Sequence, residues 1–182
     1  MNNKFTTRDL PPADRHLLEA DRLPELISLG DQSGWKNVLH NAWIANNKYL
    51  FQKFGYEQVM SWMRLAKPVQ LLCFAGESRT AVYVEDFDCE LDYEEEKCLY
   101  VLGHEITVYR GGSGPAEYLC GGPSWSTSRE IAESFAAKFP DGIVVEGRIG
   151  RAAILMSFLS EAESELVIDP TQLISVCDLS AI

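Results

Sequence analysis

Three charged residues in the second half of the chain are of types that can do chemistry. One is an arginine, which can bind an anion, and two are glutamates, which can act on a sugar. Arg110 follows the apolar stretch 106–109, and an arginine at the end of a strand can bind two phosphate or carboxylate oxygens at once. Glu163 and Glu165 precede Leu166-Val167-Ile168, an apolar run that predicts a buried strand on which alternation places both carboxylates on one face. Carboxylates beside a buried strand are unfavourable unless they are hydrogen bonded or functional. A solvated loop leading into an ordinary strand is the alternative on this fragment alone.

Two further segments lie between the arginine and the glutamates. Gly111-Gly112-Ser113-Gly114-Pro115 predicts a loop whose backbone comes close to a ligand, or a loop that only requires positive φ angles. Ser126-Thr127-Ser128 precedes the segment 129–139, in which apolar residues recur at helical spacing. This pattern predicts a helix with Ser128 as its N-cap, and a short strand over 125–127.

Several common sites are excluded by the spacing of their residues. A dinucleotide-binding G-x-G-x-x-G motif fails because Glu117 occupies the last glycine position, and no G-K-[ST] sequence occurs. A zinc-protease H-E-x-x-H motif fails because Val108 stands where the second histidine belongs. Three scattered histidines and five cysteines without a C-x-x-C pair predict no metal site.

The elements that must position these residues change character near Pro68. Helices are predicted after Asp14 and over 24–29, 33–54 and 56–65. Strands are predicted over 69–75, 81–84, 98–102, 106–109, 143–145 and 154–158, and the acidic segment 85–97 predicts a solvated helix or loop. Helices followed by strands predict an α+β fold, with a helical part over 1–67 and a β-rich part over 68–182.

Length and charge limit the class of protein. A chain of 182 residues has the size of one domain. A net charge of −11 opposes non-specific binding to nucleic acid or anionic membranes, and it suits a cationic partner or solubility alone. The N-terminal residues do not resemble a signal peptide, and the cysteine number is odd. We therefore expect reduced thiols in the cytoplasm, or delivery into a target cell without a cleaved signal peptide, and no membrane span.

The order Arg110, Ser126-Thr127-Ser128 and Glu163-Ser164-Glu165 resembles the R, S-T-S and E-x-E pattern of mono-ADP-ribosyltransferases of the arginine–serine–glutamate type. That family includes bacterial toxins, phage enzymes and vertebrate ectoenzymes. The resemblance covers residues 106–176. It implies a single domain over 1–182, in which helices precede a mostly antiparallel core of two sheets around a cleft for NAD.

The resemblance also implies roles for individual residues, with NAD as substrate and no metal. Glu165 would stabilise the oxocarbenium-like sugar formed as nicotinamide leaves, as a carboxylate does in glycoside hydrolysis. Arg110 would hold the pyrophosphate or the adjoining ribose, and Ser126 would hold the glutamate and the nicotinamide ribose. The residues implied to bind NAD are Arg110, Gly111, Ser126, Thr127, Ser128 and Glu165.

Glu163 would face the acceptor, and a glutamate at this position implies an arginine side chain of a protein. A carboxylate can orient a guanidinium through paired N–H bonds. Glu161 competes for this role, and Phe158 is either a target contact or a core residue. The same residues would serve an NAD glycohydrolase or a transferase acting on nucleic acid, which the acidic chain disfavours. Outside the family, the alternative is a non-catalytic interaction domain with a structural glycine loop.

Overall fold

The computed structural model describes residues 11–67, 93–159 and 162–179. These residues belong to two compact units, one helical up to Ala66 and one containing a sheet from Lys67 onward. The mixture of helices with one antiparallel sheet confirms the predicted α+β class. A single domain spanning both parts stays a prediction.

The described residues of the first unit form four helices, and sequence patterns predicted all four. They are α1 (Pro12–Ala20), α2 (Leu23–Ser28), α3 (Trp35–Phe54) and α4 (Tyr56–Ala66), with a 3-10 turn at Asp31–Ser33. Gly55 follows α3 with a φ of 82°, which favours glycine over other residues. Trp43, Met60 and Met63 are buried, as expected for packing residues. Helix α1 begins before Asp14, which therefore lies in the first turn instead of capping it.

The second unit holds a six-stranded sheet with short helices between its strands. Its elements are α5 (Tyr93–Tyr100), β1 (Glu105–Ser113), α6 (Ala116–Cys120), β2 (Ser124–Ser126), α7 (Arg129–Ala136), β3 (Gly142–Gly150), β4 (Ile154–Phe158), β5 (Glu165–Ile168) and β6 (Leu173–Asp178). The strand order is β4-β5-β2-β1-β3-β6, and all neighbours are antiparallel. The prediction of a mostly antiparallel β region is confirmed.

The middle of this sheet is held by very little pairing. Strand β1 pairs with β2 only at Tyr109 and Ser126, whereas β1 and β3 pair along their full length from Glu105 to Ser113. The sheet therefore consists of two three-stranded halves, β4-β5-β2 and β1-β3-β6, that meet at one residue pair. The resemblance implied two sheets, whereas the described strands form one sheet, because this pair joins the halves.

The two faces of the sheet are covered differently. Apolar side chains fill one face, including Ile106, Val108, Trp125, Val145, Ile149, Leu166 and Ile168. On the other face, helix α7 lies so close to the strands that a Cβ at Gly111 would overlap the carbonyl of Ala132. A Cβ at Gly142 would likewise overlap the carbonyl of Ala136. Two glycines therefore permit direct contact between the helix backbone and the sheet.

Three sequence predictions in this unit were wrong. The predicted strand over 98–102 lies mostly in helix α5, where Glu95 and Leu99 are both buried, so the acidic segment is not wholly solvated. Arg110 lies inside β1 instead of at its end, because the strand continues through Gly111 to Ser113. Helix α6 and strand β6 were not predicted from the sequence.

Some predictions fall outside the described residues. These are the strands over 69–75 and 81–84, the acidic residues 85–92, Cys73, Cys89 and Glu161. The described cysteines Cys98, Cys120 and Cys177 carry free thiols.

We predict that Gly111→Ala destabilises the protein, because the new methyl group would overlap main-chain atoms of α7 that cannot rotate away. Inserting one carbon into such a tight contact lowers the free energy of unfolding by about 1–3 kcal/mol. Urea denaturation measures this change. Gly150→Ala is the matched control, since a Cβ there has no atom within 4 Å and its φ is −83°. Equal unfolding free energies for the two variants would contradict the close contact.

Candidate functional site

One row of residues crosses the whole sheet and contains both a predicted glutamate and a predicted serine. Residues directly opposite each other in antiparallel strands point to the same face. The row runs Phe158, Glu165, Ser126, Tyr109, Glu146, Cys177. The sheet register therefore brings Glu165 next to Ser126, as the sequence pattern required, and places Tyr109 beside them.

Ser126 holds the chain that leads into the glutamate strand. The side chain is 8% exposed, and its hydroxyl donates to the carbonyl of Glu163 at 2.8 Å while accepting from the Ser128 N–H at 3.1 Å. The N–H of Thr127 donates to the carbonyl of Ser164 at 3.1 Å. The Ser-Thr-Ser segment thus fixes the backbone of Glu163 and Ser164 by direct contact.

The carboxylate of Glu165 is bound by a serine that the sequence analysis missed. Ser124 Oγ donates to Glu165 Oε1 at 2.5 Å. Ser124 lies two residues before Ser126 on β2, so both serines point to the face on which Glu165 lies. The Ser126 hydroxyl bonds main-chain atoms of Glu163 and Ser128, and its implied contact with the side chain of Glu165 stays a prediction.

The guanidinium of Arg110 lies where the two halves of the sheet separate. Its Nη1 donates to the main-chain oxygen of Ser124. The carbonyl of Pro123 accepts from Ile168 on β5 at 2.8 Å, so the next carbonyl, that of Ser124, points the other way, toward β1. Because β1 and β2 pair only once, an arginine side chain satisfies this carbonyl where a strand would otherwise do so.

Gly122 makes room for that guanidinium. A Cβ at this position would overlap the Cζ and both terminal nitrogens of Arg110. Gly122 also accepts a bond at its carbonyl from the indole N–H of the buried Trp125, at 2.8 Å. The glycine is therefore required for the position of the arginine, and a large neighbouring side chain fixes the glycine.

Arg110 and Glu165 consequently contact the same residue. Ser124 accepts from the arginine at its main-chain oxygen and donates to the glutamate through its hydroxyl. By the same register, Arg110, which follows Tyr109 on β1, leaves the sheet on the face opposite to Glu165, and the two charged side chains come together at Ser124.

The placement of Glu163 differs from the prediction. It lies in a turn before β5, with its side chain exposed, and only Glu165 belongs to the strand. Between them, Ser164 has a φ of 45°, the left-handed region that non-glycine residues seldom adopt. Alternation therefore does not place the two carboxylates on one face. Phe158 is 6% exposed, so its side chain belongs to the interior.

Gly111 and Ser128 have clear structural roles. Gly111 admits helix α7 to the sheet, as described above. Ser128 is the N-cap of α7, as predicted, since its hydroxyl accepts from the Ile131 N–H at 3.4 Å. The same hydroxyl donates to Glu130 at 2.8 Å and lowers the pKa of that carboxyl. The implied contacts of both residues with NAD stay predictions.

Tyr109 adds a neutral hydroxyl to the row. Burial raises the pKa of its phenol, and the nearby charge and hydrogen bond of Glu146 raise the pKa further. A half-buried tyrosine beside a carboxylate thus stays protonated to higher pH than an exposed one. On the other side of the sheet, burial raises the pKa of the Cys120 thiol, and the charge of Arg110 partly offsets that effect.

Sequence signals existed for only part of this arrangement. Gly122 and Ser124 stand just before the recognised Ser-Thr-Ser segment, so proximity to a motif was available as a hint. The bonds that give them their roles join residues 14 and 41 positions apart. Such contacts depend on strand register, which local patterns do not specify.

Comparisons of the chain with protein families, curated proteins and solved structures find no match. In the ranges that the structure describes, no three histidine, cysteine or acidic side chains come together as metal ligands. Within the same ranges, no helix has the length and apolar character needed to cross a bilayer.

We predict that Ser126→Ala lowers the free energy of unfolding by about 0.5–1.5 kcal/mol, because it removes the hydroxyl that bonds main-chain groups of Glu163 and Ser128. Urea denaturation again provides the measurement. Ser134→Ala is the control, since that exposed hydroxyl bonds only the carbonyl of Ile131 within helix α7, at 2.7 Å. A loss at Ser126 no larger than that at Ser134 would refute the idea that Ser126 fixes the turn.

Proposed function

We propose that this protein is a mono-ADP-ribosyltransferase that transfers ADP-ribose from NAD to an arginine side chain of a protein and releases nicotinamide. The observation that carries the proposal is the convergence of three motif residues on strand β2. Arg110 and Glu165 both contact Ser124, and Ser126 holds the turn that bears Glu163. The motif links Arg110, Ser126 and Glu165 only by their order in the sequence. In the fold, all three lie on or contact strand β2, which supports a common site.

Glu165 is the residue proposed to promote cleavage. As the bond from C1′ of the ribose to the nicotinamide nitrogen breaks, its electron pair goes to the pyridinium ring and the sugar becomes oxocarbenium-like. A carboxylate held in place stabilises that charge without rearranging during the reaction. The bond from Ser124 Oγ to Oε1 supports this role, because it fixes one oxygen and so directs the other.

Arg110 is the residue proposed to bind the pyrophosphate or the adjoining ribose. Its Nη1 is fixed on the Ser124 carbonyl, and Gly122 admits the planar group. A guanidinium oriented in this way can donate to phosphate oxygens in a defined direction. The neighbouring glycine also permits a close approach of ligand to backbone.

Glu163 is proposed to receive the acceptor. Its side chain is exposed while its carbonyl is bound by Ser126, which suits contact with a macromolecule arriving from solvent. The acceptor guanidinium attacks C1′ and gives up one proton as the new C–N bond forms, and a carboxylate there can both align it and take that proton. The net charge of −11 favours cationic protein acceptors over nucleic acid.

We predict that Glu165→Gln lowers the rate of nicotinamide release by about 10²–10³, because the amide keeps the shape of the side chain but removes the charge that opposes the oxocarbenium. Binding of NAD, measured by calorimetry, should change little. The assay uses purified protein, NAD and agmatine as a small guanidino acceptor.

Glu105→Gln is the control for this variant, because Glu105 is an exposed carboxylate at the distant start of β1. Its release rate should equal that of the parent. Equal rates for Glu165→Gln and the parent would remove Glu165 from the reaction. Failure of the parent to bind NAD at all would favour the non-catalytic interaction domain.

We predict that Glu163→Gln abolishes labelling of agmatine while nicotinamide release continues. A guanidinium must be aligned and must lose a proton as it attacks, whereas water reacts readily with an oxocarbenium-like sugar. Labelled NAD measures both products in one reaction, across a range of pH values. Glu165→Gln serves as the comparison, since it should lose both products.

Labelling of agmatine by Glu163→Gln at the parent rate would show that Glu163 does not face the acceptor. Nicotinamide release by the parent without labelling of agmatine or of any protein in a lysate would favour an NAD glycohydrolase. Label carried by nucleic acid would favour a transferase that uses the same residues to modify nucleic acid.

A further inference from the structure

A buried carboxylate outside the motif residues lies against the strand next to Glu165. Glu95, on helix α5, is 4% exposed. Its Oε1 accepts from the main-chain N–H of Leu159 at 2.7 Å and also from the hydroxyl of Ser157, which is itself 3% exposed. A charge removed from water in this way is unfavourable unless donors satisfy it, and here two donors do so.

The two donors stand on either side of Phe158. In the sheet, Phe158 is the partner of Glu165, and Ser157 is the partner of Leu166. Glu95 therefore holds strand β4 at the place where it pairs with the first residues of β5. The side chain of Glu165 leaves the sheet at this pair, so the position of its carboxylate depends on where β4 ends.

Helix α5 is itself fixed against the sheet unit. Leu99, one turn after Glu95 on the same helix, is 2% exposed and belongs to the apolar core. The arginine side chain of Arg151, before β4, also bonds the carbonyls that follow α5, at Leu102 (2.6 Å) and Gly103 (3.0 Å). The carboxylate of Glu95 is thus carried by an anchored element, which is what a rigid support requires.

Ser124 supports Glu165 from the opposite neighbour of β5. Strand β5 lies between β4 and β2, and Ser124 on β2 donates directly to the Glu165 side chain. Glu95 acts on the other neighbour, through the backbone. The start of β5 is consequently held from both sides by polar contacts, in addition to the ladder itself.

We propose that Glu95 is a positioning residue for Glu165, which it acts on through Ser157 and Leu159 without touching the substrate. The proposal rests on the proposed cleavage of NAD by Glu165. Its physical basis is that a reacting group displaced by about 1 Å can lose about 10² in rate. The bonds of Glu95 to Ser157 and Leu159 both use Oε1, and a glutamine can accept both with its single amide oxygen.

The experiment compares Glu95→Ala and Glu95→Gln in the full chain. Asp169→Ala is the matched control, because Asp169 is also buried (6% exposed) and accepts from the N–H and hydroxyl of Thr171 at 3.2 and 2.8 Å. It lies just past the opposite end of β5. Amide hydrogen exchange of Leu159 and of residues 165–168 is measured for each protein, together with kcat and KM for nicotinamide release.

We expect Glu95→Ala to speed exchange at Leu159 and Glu165 by about tenfold or more, as loss of a buried hydrogen bond does. We expect its kcat to fall by about 10–10² while KM for NAD is unchanged. Glu95→Gln should restore both values toward those of the parent. Asp169→Ala should lower stability and leave kcat unchanged.

Unchanged exchange at Glu165 in Glu95→Ala would overturn the proposal, whatever the activity. Equal kcat values for Glu95→Ala and Asp169→Ala would also overturn the proposal. Loss of activity in Glu95→Gln with normal exchange would also overturn it, because the charge and not the position would then matter. If the parent does not cleave NAD, the proposed function is wrong, and Glu95 cannot position Glu165 for that reaction. The hydrogen exchange rates would still show whether Glu95 holds strand β4 against β5.

Discussion

A single residue pair, Tyr109 with Ser126, joins the two halves of the sheet, and the candidate site depends on that limited pairing. A longer ladder between β1 and β2 would satisfy the Ser124 carbonyl with a main-chain N–H. Because the strands separate, the Arg110 side chain donates to that carbonyl instead. The hydroxyl of the same Ser124 donates to Glu165 on the face of the sheet. A gap in backbone pairing is thus filled by an arginine side chain, at the residue that also holds the glutamate.

Helices and strands whose formation depends mainly on their own sequence were predictable. The helices before Pro68 follow from apolar spacing and from Gly55, and strand β4 follows from its continuous apolar run. Prediction failed where tertiary contacts decide the structure. Gly111 is of a type that favours loops, but it pairs with Val144 in the β1–β3 ladder, and its lack of a side chain admits helix α7. Helix α5 carries acidic residues that suggest solvent, and Glu95 is nevertheless buried because Ser157 and Leu159 satisfy it.

The sequence predicted the charged residues and the serine of the candidate site, but it did not predict the residues that hold them in position. Arg110, Ser126 and Glu165 could be chosen because their types and order match a chemical task, and the register brings Ser126 beside Glu165. Ser124, Gly122 and Glu95 could not be chosen, because a serine, a glycine and a glutamate are ordinary residues until their partners are known. Their partners lie on other strands or helices, and only the assembled sheet specifies them.

The left-handed backbone at Ser164 has a consequence for how such a chain can evolve. In a continuous strand, inserting or deleting one residue turns every later side chain to the opposite face. Ser164 forms a corner ahead of β5, and the pairing of β5 with both β2 and β4 sets its register independently. Length changes in the connection ahead of that corner would therefore leave Glu165 on its face of the sheet, because the ladder holds it, whereas Glu163 is held by the bond of Ser126 to its carbonyl. The positions of the two carboxylates thus depend on different contacts, and a change in one need not alter the other.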